Sequence, residues 1–448
     1  MDSRFRGNDD LFKVPKFECA GVYHWGMTDS LTARFHSRLD EIDVDAWNAL
    51  LPDDNPFVSH AFLAGLETHG CLRAEYGWRA NHLCLYSGET LVAAAPLYIK
   101  RNSHGEYVFD WSWASAYERS GRDYYPKLLG AVPYSPVTGP RLLVHRDQDA
   151  ASLRPLLVQT IRAAVDGADL SSAHLNFVNP VDARALMEAG WLPRFDWQYH
   201  WSNPGGSRWR DFDDFLAALT HKKRKNIRHE RAQVARAGIA CELRHGDEIS
   251  AAEWRAVHEL YLNTFAERGN HPALTLGFFR HLGAVMPRQV IAVLCRRDRE
   301  IIAMALLLRS STTLYGRYWG CVENVAGLHF EACYYQGIEY CLTNGLMRFE
   351  PGAQGEHKLA RGFLPTKTRS FHYLADPRFR SAVGEALGRE SRALDEYRAE
   401  LMAHSPYAQG KCAPVEASTA NPGSIHGARD RVEGEVLSAP PPRKGRGW

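Results

Sequence analysis

The sequence predicts two consecutive α/β domains built on one plan, each a mixed, mostly antiparallel sheet flanked by helices. Three observations predict it. Blocks of sequence recur in the same order: residues 177–193, FVNPVDARALMEAGWLP, match residues 349–365, FEPGAQGEHKLARGFLP, with Phe, Gly, Leu and Pro at one constant offset. The same offset relates His200 to His372, each flanked by aromatic residues, and a second offset relates LVAAAPLY from Leu91 to IIAMALLL from Ile301. Helical spacing alternates with short apolar runs of strand length in both copies. The 448 residues, 45% of them hydrophobic, suffice for two cores.

The elements of the first copy follow in order. A strand is predicted near Phe35, helices up to about Leu66, and strands at His82, Leu91 and Tyr107, the last closed by Trp113. The change of offset places an insertion at about 116–150. A helix over 153–165 and a strand over 174–178 complete the copy. In the second copy, residues 239–244 form a strand. Helical spacing over 252–268 puts Trp254, Val257, Leu260, Tyr261 and Phe265 on one side. A second helix spans about 275–285. Strands over 290–295, 301–308 and 313–319 are joined by connections short enough for antiparallel hairpins. A helix over 329–343 ends at Asn344-Gly345, a C-cap signal. Strands follow over 347–350 and 369–374. Strand, two helices, three antiparallel strands, helix, strand, short helix, strand: this order resembles the GNAT acyltransferase fold. The domains are accordingly expected at 31–205 and 206–403, the second carrying the active site.

The ends read differently. Residues 1–30 are expected to be a poorly ordered extension. Their opening, MDSRFRGNDD, resembles translated intergenic repeat sequence, and Met27 offers an alternative start. Residues 404–448 run into Gly, Pro, Ser and basic residues, too polar to offset chain entropy, and are expected to be a disordered tail.

Composition excludes several classes. A net charge of +2 gives no global field for nucleic acid or membrane, so any basic site is local. The longest apolar runs, 91–99 and 301–308, fall far short of a spanning helix, and the N-terminus lacks a signal-peptide core. The cytoplasm is therefore the expected compartment. None of the nine cysteines forms a C-x-x-C pair, so reduced thiols are expected, and the scattered histidines give no metal cluster. P-loop, nucleophile-elbow, zinc-protease and dinucleotide motifs are all missing. No tightly bound cofactor and no obligate protein partner is expected.

Three segments carry candidate chemistry. After the strand ending at Glu350, the residues Pro351, Gly352 and Gly355 force an irregular loop that holds Gln354, Glu356, His357, Lys358 and Arg361. A carboxylate and an imidazole can take a proton from an attacking amine, and cations can hold phosphates or a developing oxyanion. The aligned stretch of the first copy has Asp182, Ala183, Arg184, Ala185 and Leu186 instead, so the second copy is the one expected to be active. Arg317 and Trp319 lie on a strand that leads through residues 323–327 into a helix; in the GNAT fold that the element order resembles, this junction holds the donor's pyrophosphate on helix N-terminal amides. Glu331 and Tyr335 share one side of that helix. The third segment, HKKRKNIRHERAQVARAG from His221, places six Lys/Arg between Lys222 and Arg231 against one acid, Glu230. Lys222, Lys223, Arg224 and Arg228 would suit a phosphate-bearing partner.

RYWGCVENVAGLHFEACYYQGIEYC from Arg317, together with FEPGAQGEHKLARGFLP from Phe349, resembles the signature blocks of the FemAB-like peptidoglycan biosynthesis/recognition proteins. The resemblance covers roughly residues 31–401. It implies an N-acyltransferase that moves an acyl or aminoacyl group from acyl-CoA or aminoacyl-tRNA to a primary amine such as that of a cell-wall precursor. Glu356 and His357 would be the acid/base pair, with Glu331 and Tyr335 as further catalytic candidates. Gln354, Lys358, Arg361, Arg317, Trp319 and the basic helix would bind donor or acceptor. The alternative is a recognition protein of the same fold without catalysis, holding cell-wall fragments or nucleic acid through the basic helix.

Overall fold

A computed structural model describes residues 21–25, 29–206, 208–267, 271–353 and 355–408. The strands of the first half are Gly21–Trp25 (β1), Asp29–His36 (β2), Trp78–Ala80 (β3), His82–Ser87 (β4), Thr90–Ala95 (β5), Tyr98–Lys100 (β6), Lys127–Gly130 (β7), Leu143–Val144 (β8), Ser172–Leu175 (β9) and Leu192–Ser202 (β10). Those of the second half are Ile239–His245 (β11), Val290–Arg297 (β12), Glu300–Arg309 (β13), Thr313–Cys321 (β14), Arg348–Glu350 (β15) and Leu364–Leu374 (β16). They form a five-stranded sheet, β1-β2-β4-β5-β8, and an eleven-stranded sheet, β11-β12-β13-β14-β15-β10-β16-β9-β7-β6-β3. The series β2-β4-β5 and β11-β12-β13 run in the same order, so the strand from Thr90 and the strand from Glu300 hold equivalent places.

The halves exchange their last strands. β10 ends the first copy, yet it pairs antiparallel with β15 and β16 of the second. β16 in turn pairs with β9 of the first. One apolar core also spans both halves, joining Trp47, Phe57, Phe62 and Leu66 to Trp254, Phe278, Phe279 and Tyr315. Phe57 meets Tyr315 edge to face at 5.1 Å, and Phe62 meets Phe278 at 5.5 Å. Within the first half, Pro96 separates β5 from β6. Lacking an N–H, it cannot continue the ladder, and the two strands enter different sheets.

Four expectations need correction. The strand expected from Tyr107 to Trp113 does not form. Tyr107 has a φ of 60°, and Trp111–Arg119 is a helix. The turn between them buries Glu106 and Asp110, whose carboxylates lie 3.0 and 2.6 Å from the Lys127 ammonium; β7, which carries Lys127, takes the place beside β6. The extension expected at 1–30 contributes β1, whose residues pair in register with β2, Gly21 opposite Ala33 and Trp25 opposite Asp29; residues 1–20 lie outside the described part. The tail expected from 404 is packed as far as 408. Tyr407 is buried and donates to the Gly362 carbonyl at 2.7 Å, an aromatic anchor that composition averages away. Residues 409–448 lie outside the described part. Finally, Pro377–Ala403 is a 27-residue helix that the sequence pattern did not announce, because it buries only Val383, Leu387 and Leu401. Among the described residues, no helix is long and apolar enough to cross a membrane.

Candidate active site

β14 and β15 run parallel and pair for three residues only, Thr313 with Arg348, Leu314 with Phe349 and Tyr315 with Glu350. They then part. Pro351 ends β15, and Arg317 forms a bulge in β14, where Leu306 faces Tyr318 and Leu307 faces Gly316. Bulges re-aim side chains and interrupt pairing. The backbones of Gly316 and Pro351 stay close at the fork: a Cβ on Gly316 would lie 3.1 Å from the Pro351 Cα. A cavity of about 80 Å³ opens there, lined among others by Leu306, Arg317, Trp319, His329, Cys333 and Tyr334. Neighbouring strand ends that diverge are the usual place for a ligand in an α/β sheet.

The helix beside this cavity contains a π-turn, Glu331–Tyr335, between the α-helical segments Leu328–Phe330 and Gln336–Thr343. The wider turn sends His329, Cys333 and Tyr334 to the cavity and Glu331 and Tyr335 to the opposite side. There Glu331 takes two bonds from the Arg231 guanidinium at 3.1 Å and one from Gln336 at 2.8 Å. Tyr335 donates to Glu230. Both candidates thus face the basic helix, His221–Arg236, and tie it to the domain. Glu331→Ala is expected to lower stability by about 2 kcal/mol, the usual worth of bonds to a charged partner. A urea unfolding curve checks this, and turnover should fall no further than the folded fraction.

The loop after β15 divides its residues between two surroundings. Glu356 is exposed and accepts from the Tyr397 hydroxyl of the C-terminal helix, away from the cavity. Arg361 is buried, grips Glu230 at 2.6 Å and lies 3.3 Å from the centre of the Phe330 ring. His357 touches the cavity wall: its Nε2 is 2.8 Å from the Tyr334 hydroxyl. Burial first, then Lys358 and Arg361, push the His357 imidazole down to about 4, so it is neutral at pH 7. Gln354 lies outside the described residues.

Lys358 is the unusual member. It is 3% exposed, and its ammonium donates to the Gly352 carbonyl at 2.7 Å. An ammonium has three donors. The buried Lys127 of the first half meets two carboxylates, and the buried Lys100 three oxygen acceptors. Among the described residues, Lys358 has that one carbonyl and no carboxylate. Burial lowers its pKa to about 7.

Side chains of successive residues point to opposite faces of a strand. Phe349 faces the helix with the π-turn, where its ring packs against Gly337, and Glu350 faces the first half. Its carboxyl lies 3.9 Å from His200 Nδ1 on β10 and 3.8 Å from Arg348. Burial raises Glu350 to about 7, against the pull of Arg348, the Thr138 amide and Arg317. His200 is held well below its ordinary range by burial, then by Arg348 and Lys358. Oε2 of Glu350, Nδ1 of His200 and Nε of Arg317 are buried without a hydrogen-bond partner among the described residues. A segment of the first half roofs this side: the Tyr134 carbonyl accepts from Arg317 at 2.7 Å, and the Pro136 carbonyl from Gln198 at 2.9 Å. Sequence reasoning assigned no role to Glu350 or His200. The recurrence of His200 as His372 was the available signal. His372 sits in the first half against His174, Nδ1 to Nδ1 2.7 Å, so strand exchange gives each half the other's histidine.

The basic helix borders the loop through Arg361 but contributes no residue to the cavity. Arg228 pairs with Asp213 at 3.0 Å. Lys222, Lys223 and Arg224 form no ion pair among the described residues, and they occupy the helix's positive end. Gly320 and Gly327 serve close packing: a Cβ on Gly320 would come within 2.2 Å of the Leu260 carbonyl, and one on Gly327 within 2.8 Å of the Glu230 carbonyl. No group of three or more His, Cys, Asp or Glu that could hold a metal occurs among the described residues.

Comparison with known proteins gives one family and a set of structures. Residues 38–409 match the FemAB-like family, described as peptidoglycan biosynthesis/recognition. No curated protein matches the chain. Among solved structures, it is similar to the C-terminal domain of a putative lysylphosphatidylglycerol synthetase from Agrobacterium fabrum, at 11% identity and a TM-score of 0.48, covering 78% of this chain and 96% of that one. FemX follows at 11% and 0.47, covering 78% and 100%. A tandem GNAT protein from the clavulanic acid biosynthesis pathway stands at 12% and 0.40, covering 78% and 99%.

Proposed function

Because the chain belongs to the FemAB-like peptidoglycan biosynthesis/recognition family, we propose that it is an N-acyltransferase that passes an acyl or aminoacyl group to a primary amine at the fork between β14 and β15. The observation that carries this reading is Lys358, a buried ammonium beside that fork with one carbonyl partner. Its ammonium bonds the Gly352 carbonyl, and a Cβ on Gly352 would lie 3.8 Å from the Gly316 carbonyl of β14 and 4.0 Å from that ammonium. Lys358 therefore lies at the fork.

The roles follow from position. The activated carbonyl of the donor enters the cavity past Trp319 and His329. The acceptor amine comes from the side of Glu350 and His200. The amine nitrogen forms a bond to the carbonyl carbon, and the oxyanion that develops is held by Lys358. Glu350, raised to about 7, takes the amine proton as general base. The bond from carbon to the leaving oxygen or sulfur then breaks, and the proton passes to the leaving group. Direct attack suffices, since the cysteine nearest the cavity, Cys333, is driven above its ordinary range by burial and is a poor nucleophile at neutral pH. Lys222, Lys223 and Arg224, outside the cavity, would draw in the phosphates of a donor.

The test is transfer itself. Purified protein is offered radiolabelled acetyl-CoA or a charged tRNA, with a cell-wall precursor bearing a free amine. Amide product that appears with one donor supports the reading and names the donor class. Retained binding of the precursor with no product from either donor would favour a recognition protein instead.

A further inference from the structure

Three cysteines of the second half form a row across its sheet. Cys241 on β11 stands opposite Cys295 on β12, Cys295 opposite Ala303 on β13, and Ala303 opposite Cys321 on β14. Opposite residues share a face, so all four side chains lie on one side. The apolar core on that side also takes in Cys333 of the π-turn.

One pair in this row is placed to react. The sulfurs of Cys241 and Cys295 lie 3.3 Å apart. Directly opposed residues of antiparallel strands have Cα atoms roughly 4.5–5.5 Å apart, inside the window of about 4.4–6.8 Å that a disulfide spans. Cys321 is two strands away from Cys295, roughly 9–10 Å, beyond that window. In a disulfide the sulfurs close to about 2.05 Å. The strand that gives is β11, which ends the eleven-stranded order and pairs with β12 alone among the described residues.

The two thiols differ. Cys241 is half-buried. Cys295 is fully buried, and its hydrogen bond with Cys241, then burial, hold its thiol well above the ordinary range. An accessible thiol beside a buried, protonated one is the arrangement of an attacking and a resolving cysteine.

We infer that Cys241 and Cys295 form a redox site whose substrate is a hydroperoxide. The Cys241 sulfur bonds to the terminal oxygen, the O–O bond breaks, and the thiol proton leaves with the other oxygen as an alcohol or, from hydrogen peroxide, as water. The Cys295 sulfur then bonds to the oxidised sulfur, the S–O bond breaks, and the hydroxyl leaves with the Cys295 proton as water. One peroxide is reduced and two thiols are oxidised to a disulfide. That bond staples the edge strand that follows the basic helix to its neighbour and closes a loop of 54 residues. The site is independent of the transfer reaction.

The full chain, reduced and then freed of reductant, is treated with hydrogen peroxide, capped with iodoacetamide and digested with trypsin without reduction. Each cysteine falls in its own tryptic peptide, 237–244 and 289–296. Mass spectrometry finds the two joined, lighter than their sum by two hydrogen atoms, and dithiothreitol separates them. Cys295→Ser removes the resolving thiol, so the sulfenic acid stays on Cys241 and dimedone traps it there. A melting curve confirms that the variant is folded. The inference is overturned if peroxide leaves the two peptides of the parent unjoined, if either is joined to the peptide of Cys333 instead, or if Cys241 of the folded Cys295→Ser variant takes up no dimedone.

Discussion

Lys358→Met lowers the rate of transfer roughly 10²- to 10³-fold, the cost of removing one oxyanion donor, and at the same time raises stability. The two effects share one cause. The folded protein holds the lysine near 7, well below its ordinary value. A basic group depressed in this way favours the unfolded chain, which binds the proton more tightly, whenever the pH lies below the unfolded pKa. The penalty grows as pH falls from about 10 and is complete below about 7. Methionine fills a similar volume without charge, so the variant melts higher than the parent at pH 6, and the gap narrows toward pH 10. Single-turnover rates and melting curves at the two pH values check both halves. If the variant instead melts lower and transfers normally, Lys358 is an ordinary structural lysine. Functional sites commonly sacrifice stability in this way.

Glu350→Gln is expected to lower kcat at least about 10²-fold, because it preserves shape and removes the base. The pH profile separates this role from a structural one. Glu350 must be deprotonated, so its limb rises through about 7; Lys358 must be protonated, so its limb falls above about 7. The parent enzyme therefore peaks near neutrality. Glu350→Gln abolishes the rising limb from the residual rate, and Lys358→Arg, which stays protonated, abolishes the falling one. His200→Gln keeps a polar group beside Glu350 and shifts the rising limb without removing it. A residual rate in Glu350→Gln that still rises through pH 7 would move the base elsewhere, with His357 excluded by its value of about 4.

The strands of the second half were legible from alternation and length. Val290–Arg297, Glu300–Arg309 and Thr313–Cys321 lie within two residues of the expected bounds, since each is an apolar run closed by a short polar turn. The helix with Glu331 and Tyr335 was legible too, and the two do share a side. Which side faces the cavity was not, because the π-turn and the approach of Arg231 set it. Glu356 is the sharper case. Its loop was correctly read as a concentration of polar groups, but loop residues have no period from which a direction can be taken, and the C-terminal helix turns this one outward.

The sequence by itself determined the repeat, the order of the strands from Val290 to Cys321 and the segment after Phe349 in which the unusual groups gather. Those properties are local, written in spacing, turn residues and recurrence. Only the tertiary structure decided that the last strands are exchanged, that His200 of the first copy faces Glu350 of the second, and that Lys358 is buried with one carbonyl while Glu356 is not buried at all. The physical reason is that strand pairing and desolvation depend on partners far away in the chain. A lysine and a glutamate two residues apart look equally polar in sequence, and which of them loses its water is settled by what packs above it.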